Sequence, residues 1–289
     1  MHIPVLLKEV LECLNPGKNE NFIDCTLNGG GHTQAILKMN GPNGKVLGIE
    51  WDKEIHANIQ KQKLERLIAI NDSYANLKNI VEENNFNNVS GILFDLGMSS
   101  YQIDEAERGF SFTKNQPLIM AYGETDKNAK EIINKYPQDK LEKIISEYGE
   151  EKFAKKIAKK IAEARKIKPI ETTFDLVEII KQATPAHYHH QKLHFATRTF
   201  QAIRIETNQE LENIKAALPQ ALQILDSNGR LAIISFHSLE DRIVKNFFKE
   251  QEQSGKIKLA TKKPITASRE ESENNPRARS AKLRAIIKI

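Results

Sequence analysis

The sequence predicts an α/β protein, a parallel sheet flanked by helices, interrupted by a wholly helical segment. Three observations carry this. Strand-like and helix-like runs alternate through the first third of the chain, which is the signature of βαβ units. From about Asp126 to Ala186 no strand pattern occurs, while apolar residues recur at three- and four-residue spacing. A strand pattern then returns at GRLAIISFHS, Gly229 to Ser238.

In chain order, FIDCTL (Phe22 to Leu27) is a β-branched and aromatic run ending in glycines, and GHTQAILKM after it reads as a helix. KVLGIEWD (Lys45 to Asp52) is a second strand, followed by helical KEIHANIQKQKLERL. LIAIND (Leu67 to Asp72) and VSGILFDLG (Val89 to Gly97) are the third and fourth strands, with the helix SYANLKNIVEEN between them. NAKEIINKY, QDKLEKIISEYGEEKFAKKIAKKIAEARKI and TFDLVEIIKQA make up the helical segment, punctuated by Pro137 and Pro169. NQELENIKAALPQALQIL is a further helix before the fifth strand. KIKLAT and AKLRAIIKI are late strands able to pair antiparallel and close the sheet. The Glu/Ser/Asn-rich stretch from Ser268 to Asn275 reads as a mobile loop.

Composition narrows the function. The chain has 289 residues, 39% hydrophobic and 28% charged, an ordinary globular balance. No run approaches the ~18 apolar residues of a membrane span, and the N-terminus lacks a signal-peptide pattern. Cys13 and Cys25 are the only cysteines, which excludes a disulfide framework and a cysteine-rich zinc site; a reducing cytoplasm fits. The net charge of +5 permits a nucleic-acid partner without demanding one. HYHHQKLH, with His187, His189, His190 and His194, lacks the acid or cysteine that would complete a metal site, so no metal is expected.

The loop DCTLNGGGHT follows the first strand, where glycines let backbone approach a ligand and helix-start amides face it. Glu50 ends the second strand nineteen residues after Gly31, the place from which an acid accepts hydrogen bonds from ribose hydroxyls. A dinucleotide and S-adenosylmethionine both present adenosine there. N-G-G-G-H lacks the G-x-G-x-x-G spacing of pyrophosphate binders, which favours S-adenosylmethionine. Asp72 and Tyr74 end the third strand, positioned for the adenine amine and ring face, or are simply turn residues. Asp95 ends the fourth strand at the sheet's carboxyl edge, and with Ser99 or Ser100 offers acceptors to an exocyclic amine. A cap on the following turn is the plainer role for Asp95. SFHSLEDR lacks a nucleophile elbow and does not point to a hydrolase.

These segments, with HIPVLLKEVLECL, GILFDLGMSSYQIDEAERGFSF, HFATRTFQAIRIETNQEL, GRLAIISFHSLEDRIVKNFF and NPRARSAKLRA, closely resemble the RsmH (MraW) family, in order and over nearly the whole chain. The resemblance implies S-adenosylmethionine-dependent methylation of N4 of a decoding-centre cytosine in 16S rRNA of the small ribosomal subunit. It also implies a Rossmann-like class I methyltransferase domain (residues 1–125 and 196–289) with an inserted all-helical domain (126–195). Carried over residue by residue, the family's cofactor contacts fall on Gly30, Gly31, His32, Glu50, Tyr74, Asp95 and Gln102. The family usually has Asp at position 50, Phe at 74 and Gly at 28, and Pro where Phe195 stands.

A further departure lies in GFSFTKNQPLIMAYG, Gly109 to Gly123: the family's acid and arginine are replaced by Ile119 and Ala121. A paired acid and base can be exchanged together for apolar residues without loss of stability. If the pair gripped RNA, the chain is a catalytically weak module that still binds the small subunit. An oxidoreductase on a similar sheet is the third class, separable by its cofactor. The RNA-contact candidates are Lys155 and Lys159 on an amphipathic helix, Arg198, Arg204, His237, Arg277 and Arg279, with Phe110 and Phe112 as base-stacking or core residues. Monomer and homodimer both remain open.

Overall fold

Phe22 and Ile23 are adjacent, yet they lie in different hydrophobic clusters, one on each face of a sheet. That alternation, with both faces covered, is why the strands read as continuous apolar runs rather than polar/apolar repeats. The computed structural model describes residues 3–123 and 127–289, apart from the side chain of Ser100. Met1, His2 and the expected domain boundary at 125/126 lie outside the described residues.

The chain divides into two compact units, one comprising residues up to Ser99 and from Leu211 onward, the other Ser100–Glu210. In the first unit, β1 (Asn21–Asp24), β2 (Val46–Ile49), β3 (Leu67–Ile70), β4 (Val89–Asp95) and β5 (Arg230–Ser235) pair in parallel. β6 (Ile257–Leu259), β7 (Ile265–Thr266) and β8 (Lys282–Lys288) complete the sheet. The order is β3-β2-β1-β4-β5-β8-β6; β7 also pairs with β8, and all pairings of β8 are antiparallel. The order reverses between β1 and β4. In such sheets the crevice beside that point, at the carboxyl ends of the strands, is where ligands bind.

The helices of this unit's N-terminal part are α1 (Leu7–Leu14), α2 (Gly31–Met39), α3 (Lys53–Lys61) and α4 (Leu77–Glu83). The second unit holds α5 (Ser100–Asp104), α6 (Ala129–Lys135), α7 (Gln138–Gly149), α8 (Ala154–Ala164), α9 (Thr173–Ala183) and α10 (Thr197–Asn208). α11 (Glu210–Ile224), α12 (Ser238–Gln253) and α13 (Arg269–Asn274) follow. Ile157 and Ile161 are fully buried, as the pattern of α8 predicts. None of the helices among the described residues is long and apolar enough to cross a membrane.

Three expectations need correction. Residues 100–125 and 196–210, assigned to the sheet domain from sequence, group with the helices in their described parts. Leu118 N–H donates to Glu171 O (3.0 Å) and Gln201 Nε2 to Tyr148 O (2.9 Å). Gly149 has no side chain because Arg198 O would lie 2.6 Å from its Cβ, so α10 approaches α7 closely there. The stretch expected to be a mobile loop is α13, nucleated by Ser268, whose Oγ accepts from Glu271 N–H (3.0 Å). Finally, the long helical run from Gln138 breaks at Glu150, which takes a left-handed conformation (φ 48°). The helix α10 had no counterpart in the sequence reading.

Candidate cofactor site

The turn after β1 is built by backbone geometry. Asn28 (φ 47°) and Gly30 (φ 75°) are both left-handed, and Gly30 caps α2. Asparagine tolerates this region better than most residues. Asn28 N–H donates to Glu50 Oε2 (2.9 Å), and Glu50 Oε1 accepts from Asp52 N–H (2.8 Å). Glu50 immediately follows β2 and is 6% exposed. One carboxylate thus ties the glycine loop to the end of the second strand. Burial pushes Glu50 up to about 7, against the pull of those two amides.

A second cluster joins β1, α2 and β4. Asp24 accepts from Thr33 O–H (2.7 Å) and Thr26 N–H (3.2 Å), and burial raises its carboxyl. Thr26 Oγ1 accepts from Asp95 N–H (2.6 Å), fixing the end of β4 against the loop. His32 Nε2 lies 3.0 Å from Val5 O. A carbonyl only accepts, so Nε2 carries the proton. Nδ1 then faces Asp95 Oδ2 at 3.7 Å. Asp95 is 5% exposed, and its Oδ1 is buried with no hydrogen-bond partner among the described residues. Burial is the main reason its pKa rises to about 6, with His32 opposing. An orphaned buried acceptor at the switch point suits a ligand or substrate N–H. Gly30, Glu50 and Asp95 therefore fit an adenosyl cofactor with an amino-acid tail.

Tyr74 is half-buried in a short 3-10 turn, edge-on to Phe94 at 5.6 Å. Asp72 Oδ1 is engaged in the turn, accepting from Ser73 N–H (2.6 Å) and Asn76 Nδ2 (2.9 Å). Ser99 is buried. Gly31 needs no side chain for a reason the sequence did not show: a Cβ there would lie 2.3 Å from Pro4 Cγ. His237, expected to meet RNA, caps α12 instead. Its Nδ1 accepts from Glu240 N–H (3.5 Å), and its Nε2 lies 3.0 Å from Glu240 Oε1 without hydrogen-bond alignment. Arg279 is exposed, with Nε donating to Ser272 O (3.2 Å); Arg277 is half-buried.

In the second unit Gln102 is buried on α5, and the side chain of Ser100 lies outside the described residues. Phe110 is an interior residue, stacked on Tyr122 at 5.3 Å, so the core role wins over base stacking. Phe112 stacks on His194 at 4.6 Å. Arg204 is also corrected: it forks onto Glu210 (2.8 and 2.9 Å) in an ion pair whose side chains are 14% and 8% exposed. Tyr122 O–H donates to the same carboxylate (3.0 Å). Arg198 Nη1 donates to Glu150 O (2.7 Å). Lys155 and Lys159 are exposed on α8. Lys156, Lys159 and Lys160 line a groove of about 430 Å³ that also touches Thr184. Sequence reasoning missed Asn208, whose amide accepts from Tyr122 N–H (2.9 Å) and donates to Met120 O (2.7 Å), clamping the departing loop. Ile119 is 36% exposed and Ala121 buried.

A sheet ordered β3-β2-β1-β4-β5, with an antiparallel strand beyond β5, a glycine loop after β1 and acids closing β2 and β4, defines a Rossmann-like methyltransferase that uses S-adenosylmethionine. The family model for the MraW methylase family matches residues 1–289. The chain belongs to that family. Ribosomal RNA small subunit methyltransferase H of Clostridium botulinum (strain Kyoto / Type A2) is 47% identical over 306 residues, covering 100% of this chain and 99% of the relative. The protein of that name from Finegoldia magna is 42% identical over 309 residues, covering 100% and 98%. Among solved structures, an rRNA methylase from Streptococcus thermophilus is 10% identical, with a TM-score of 0.45 and coverage of 100% and 99%.

Proposed function

We propose that this chain methylates N4 of a decoding-centre cytosine in 16S rRNA of the small ribosomal subunit, acting in the cytoplasm. The observation that carries the reading is family membership over residues 1–289, with relatives of nearly equal length named small subunit rRNA methyltransferases. When bound, S-adenosylmethionine supplies an electrophilic methyl group on its sulfonium. The chain's own residues bind, orient and shield. Gly30 N–H is spent inside the turn on Leu27 O (2.8 Å), so the Gly31 amide at the start of α2 is the one offered to the cofactor carboxylate, where the helix dipole favours negative charge. Glu50 keeps unused lone pairs on both oxygens for the ribose hydroxyls. Tyr74 offers its ring to the adenine.

The exocyclic amine of cytosine is a weak nucleophile because its lone pair is delocalised into the ring. Alignment therefore matters more than a base. The orphaned Oδ1 of Asp95 accepts an N–H, and Ser99 and Ser100 are the further acceptors in this reading. The amine proton leaves to water after transfer. Lys155 and Lys159, with the neighbouring lysines of the groove, are the phosphate contacts, joined by Arg198, Arg277 and Arg279, with the half-buried Phe112 as the base-stacking candidate. The exchange at Ile119 and Ala121 is consistent with a working enzyme, since Asn208 and Arg108 hold that loop through its backbone: Arg108 Nη1 donates to Ala121 O (3.2 Å).

The test is methyl transfer from labelled S-adenosylmethionine to small subunits lacking the modification, with mass analysis of the nucleosides. N4-methylcytidine is the expected product. Labelling at another base would refute the position. Absence of labelling with intact cofactor binding would refute the activity.

A further inference from the structure

The backbone of residues 3–6 runs between the glycine loop and α13, held by polar contacts on both sides. Toward the loop, Pro4 packs where a side chain at Gly31 would stand, with Cγ 2.3 Å from that Cβ position, and Val5 O accepts from His32 Nε2 (3.0 Å). Toward the C-terminal helix, Leu6 N–H donates to Glu271 Oε1 (2.7 Å), and Ile3 O accepts from Asn275 Nδ2 (3.1 Å). Glu271 and Asn275 are four residues apart, so one side of α13 and its cap presents both groups. Leu6 is fully buried and left-handed (φ 53°), a conformation that needs its surroundings to hold it. Val5 and Leu6 share a hydrophobic cluster with Ala278 and Ala281, just beyond α13.

We propose that Ile3–Leu6 is a strap that sets the cofactor loop, and that Glu271 and Asn275 are positioning residues for cofactor binding. They act through the strap. By accepting from Nε2, Val5 O fixes the tautomer of His32, which leaves Nδ1 to face Asp95. Pro4 against Gly31 fixes the first turn of α2, whose amides receive the ligand. A released strap lets this turn sample other conformations, and apparent affinity falls in proportion to the competent fraction. The inference rests on the cofactor site described above and extends it to residues some 240 positions away in sequence, at the far end of the chain.

The experiment uses the full chain and S-adenosylhomocysteine as the probe, by titration calorimetry, on Glu271→Ala, Glu271→Gln, Asn275→Ala and Asn275→Asp. Amide hydrogen exchange of residues 28–34 is followed in the ligand-free proteins. Glu271→Ala and Asn275→Ala weaken binding about tenfold and speed exchange in the loop, because the competent fraction falls. Glu271→Gln binds like the parent, since its amide oxygen still accepts from Leu6 N–H. Asn275→Asp, which keeps the shape but removes the donor, behaves like Asn275→Ala and replaces it if the alanine protein does not fold. Parental affinity in the Ala variants, or equal losses in Glu271→Gln and Glu271→Ala, overturns the strap. A parent protein that binds no S-adenosylhomocysteine refutes the cofactor reading instead. The exchange data then decide the strap alone: unchanged loop protection in Glu271→Ala overturns it.

Discussion

Replacing Asp95 by asparagine should stabilise the ligand-free protein at alkaline pH while disabling it. Asp95 is 5% exposed, one of its oxygens has no partner among the described residues, and burial raises its pKa from 3.8 to about 6. The fold therefore prefers the protonated acid. That preference stabilises fully below pH 3.8 and is lost as pH rises through about 6. Holding the carboxylate ionised costs about 3 kcal/mol, at about 1.36 kcal/mol per pH step. Between about pH 4.5 and 8 the cost grows by roughly 2 kcal/mol, which is about 4 °C in melting temperature for a chain of this size. Asparagine carries no charge, and its Nδ2 can donate to His32 Nδ1, already 3.7 Å from Oδ2. The assay is thermal unfolding of both proteins across that pH range, alongside methyl transfer. The gain of Asp95→Asn over the parent should widen with pH by that amount, while transfer falls at least a hundredfold. A difference in melting temperature that does not move with pH would refute the burial argument. Unchanged turnover would refute the placement of the site.

Glu50→Gln should weaken S-adenosylhomocysteine binding and remove a rise in affinity as pH climbs through about 7. An amide NH₂ cannot accept from Asn28 or Asp52, whereas the ionised acid takes both and the ribose; titrations at several pH values check this. Neutralising Lys156, Lys159 and Lys160 together should lower the salt slope of small-subunit binding by about three, one per lost phosphate contact, and leave cofactor affinity intact. Arg204→Ala should cost about 3–5 kcal/mol by urea titration, because it leaves Glu210 buried and uncompensated.

Much of the sheet was legible because its strands are covered on both faces. FIDCTL and LIAIND could be placed to within a few residues, and GHTQAILKM became α2 without adjustment. Glu50 and Asp95 were legible as candidate site acids because each stands directly at the end of a strand, where the chain must turn at the carboxyl edge. Other features were hidden for physical reasons. α13 looked like disorder because its residues are polar; a single serine cap and contacts to the N-terminus order it. Arg204 looked like an RNA contact because charge alone does not reveal the buried glutamate that neutralises it, six residues on and just past the end of its helix. Phe110 carried two readings until its stacking on Tyr122 chose one.

Residue order alone carries the periodicities, and with them the βαβ order, the helical segment and the glycine-and-acid pattern of the candidate cofactor site. These are local properties, written in spacing and in residue type. Tertiary structure alone decided which partners the polar groups take: Glu50 with the loop amides, His32 with Val5, Glu271 with Leu6. Such pairings span up to 272 residues, as between Asn275 and Ile3. Buried hydrogen-bond donors and acceptors must all be matched at once within a closed volume, and no local pattern specifies how they are shared out.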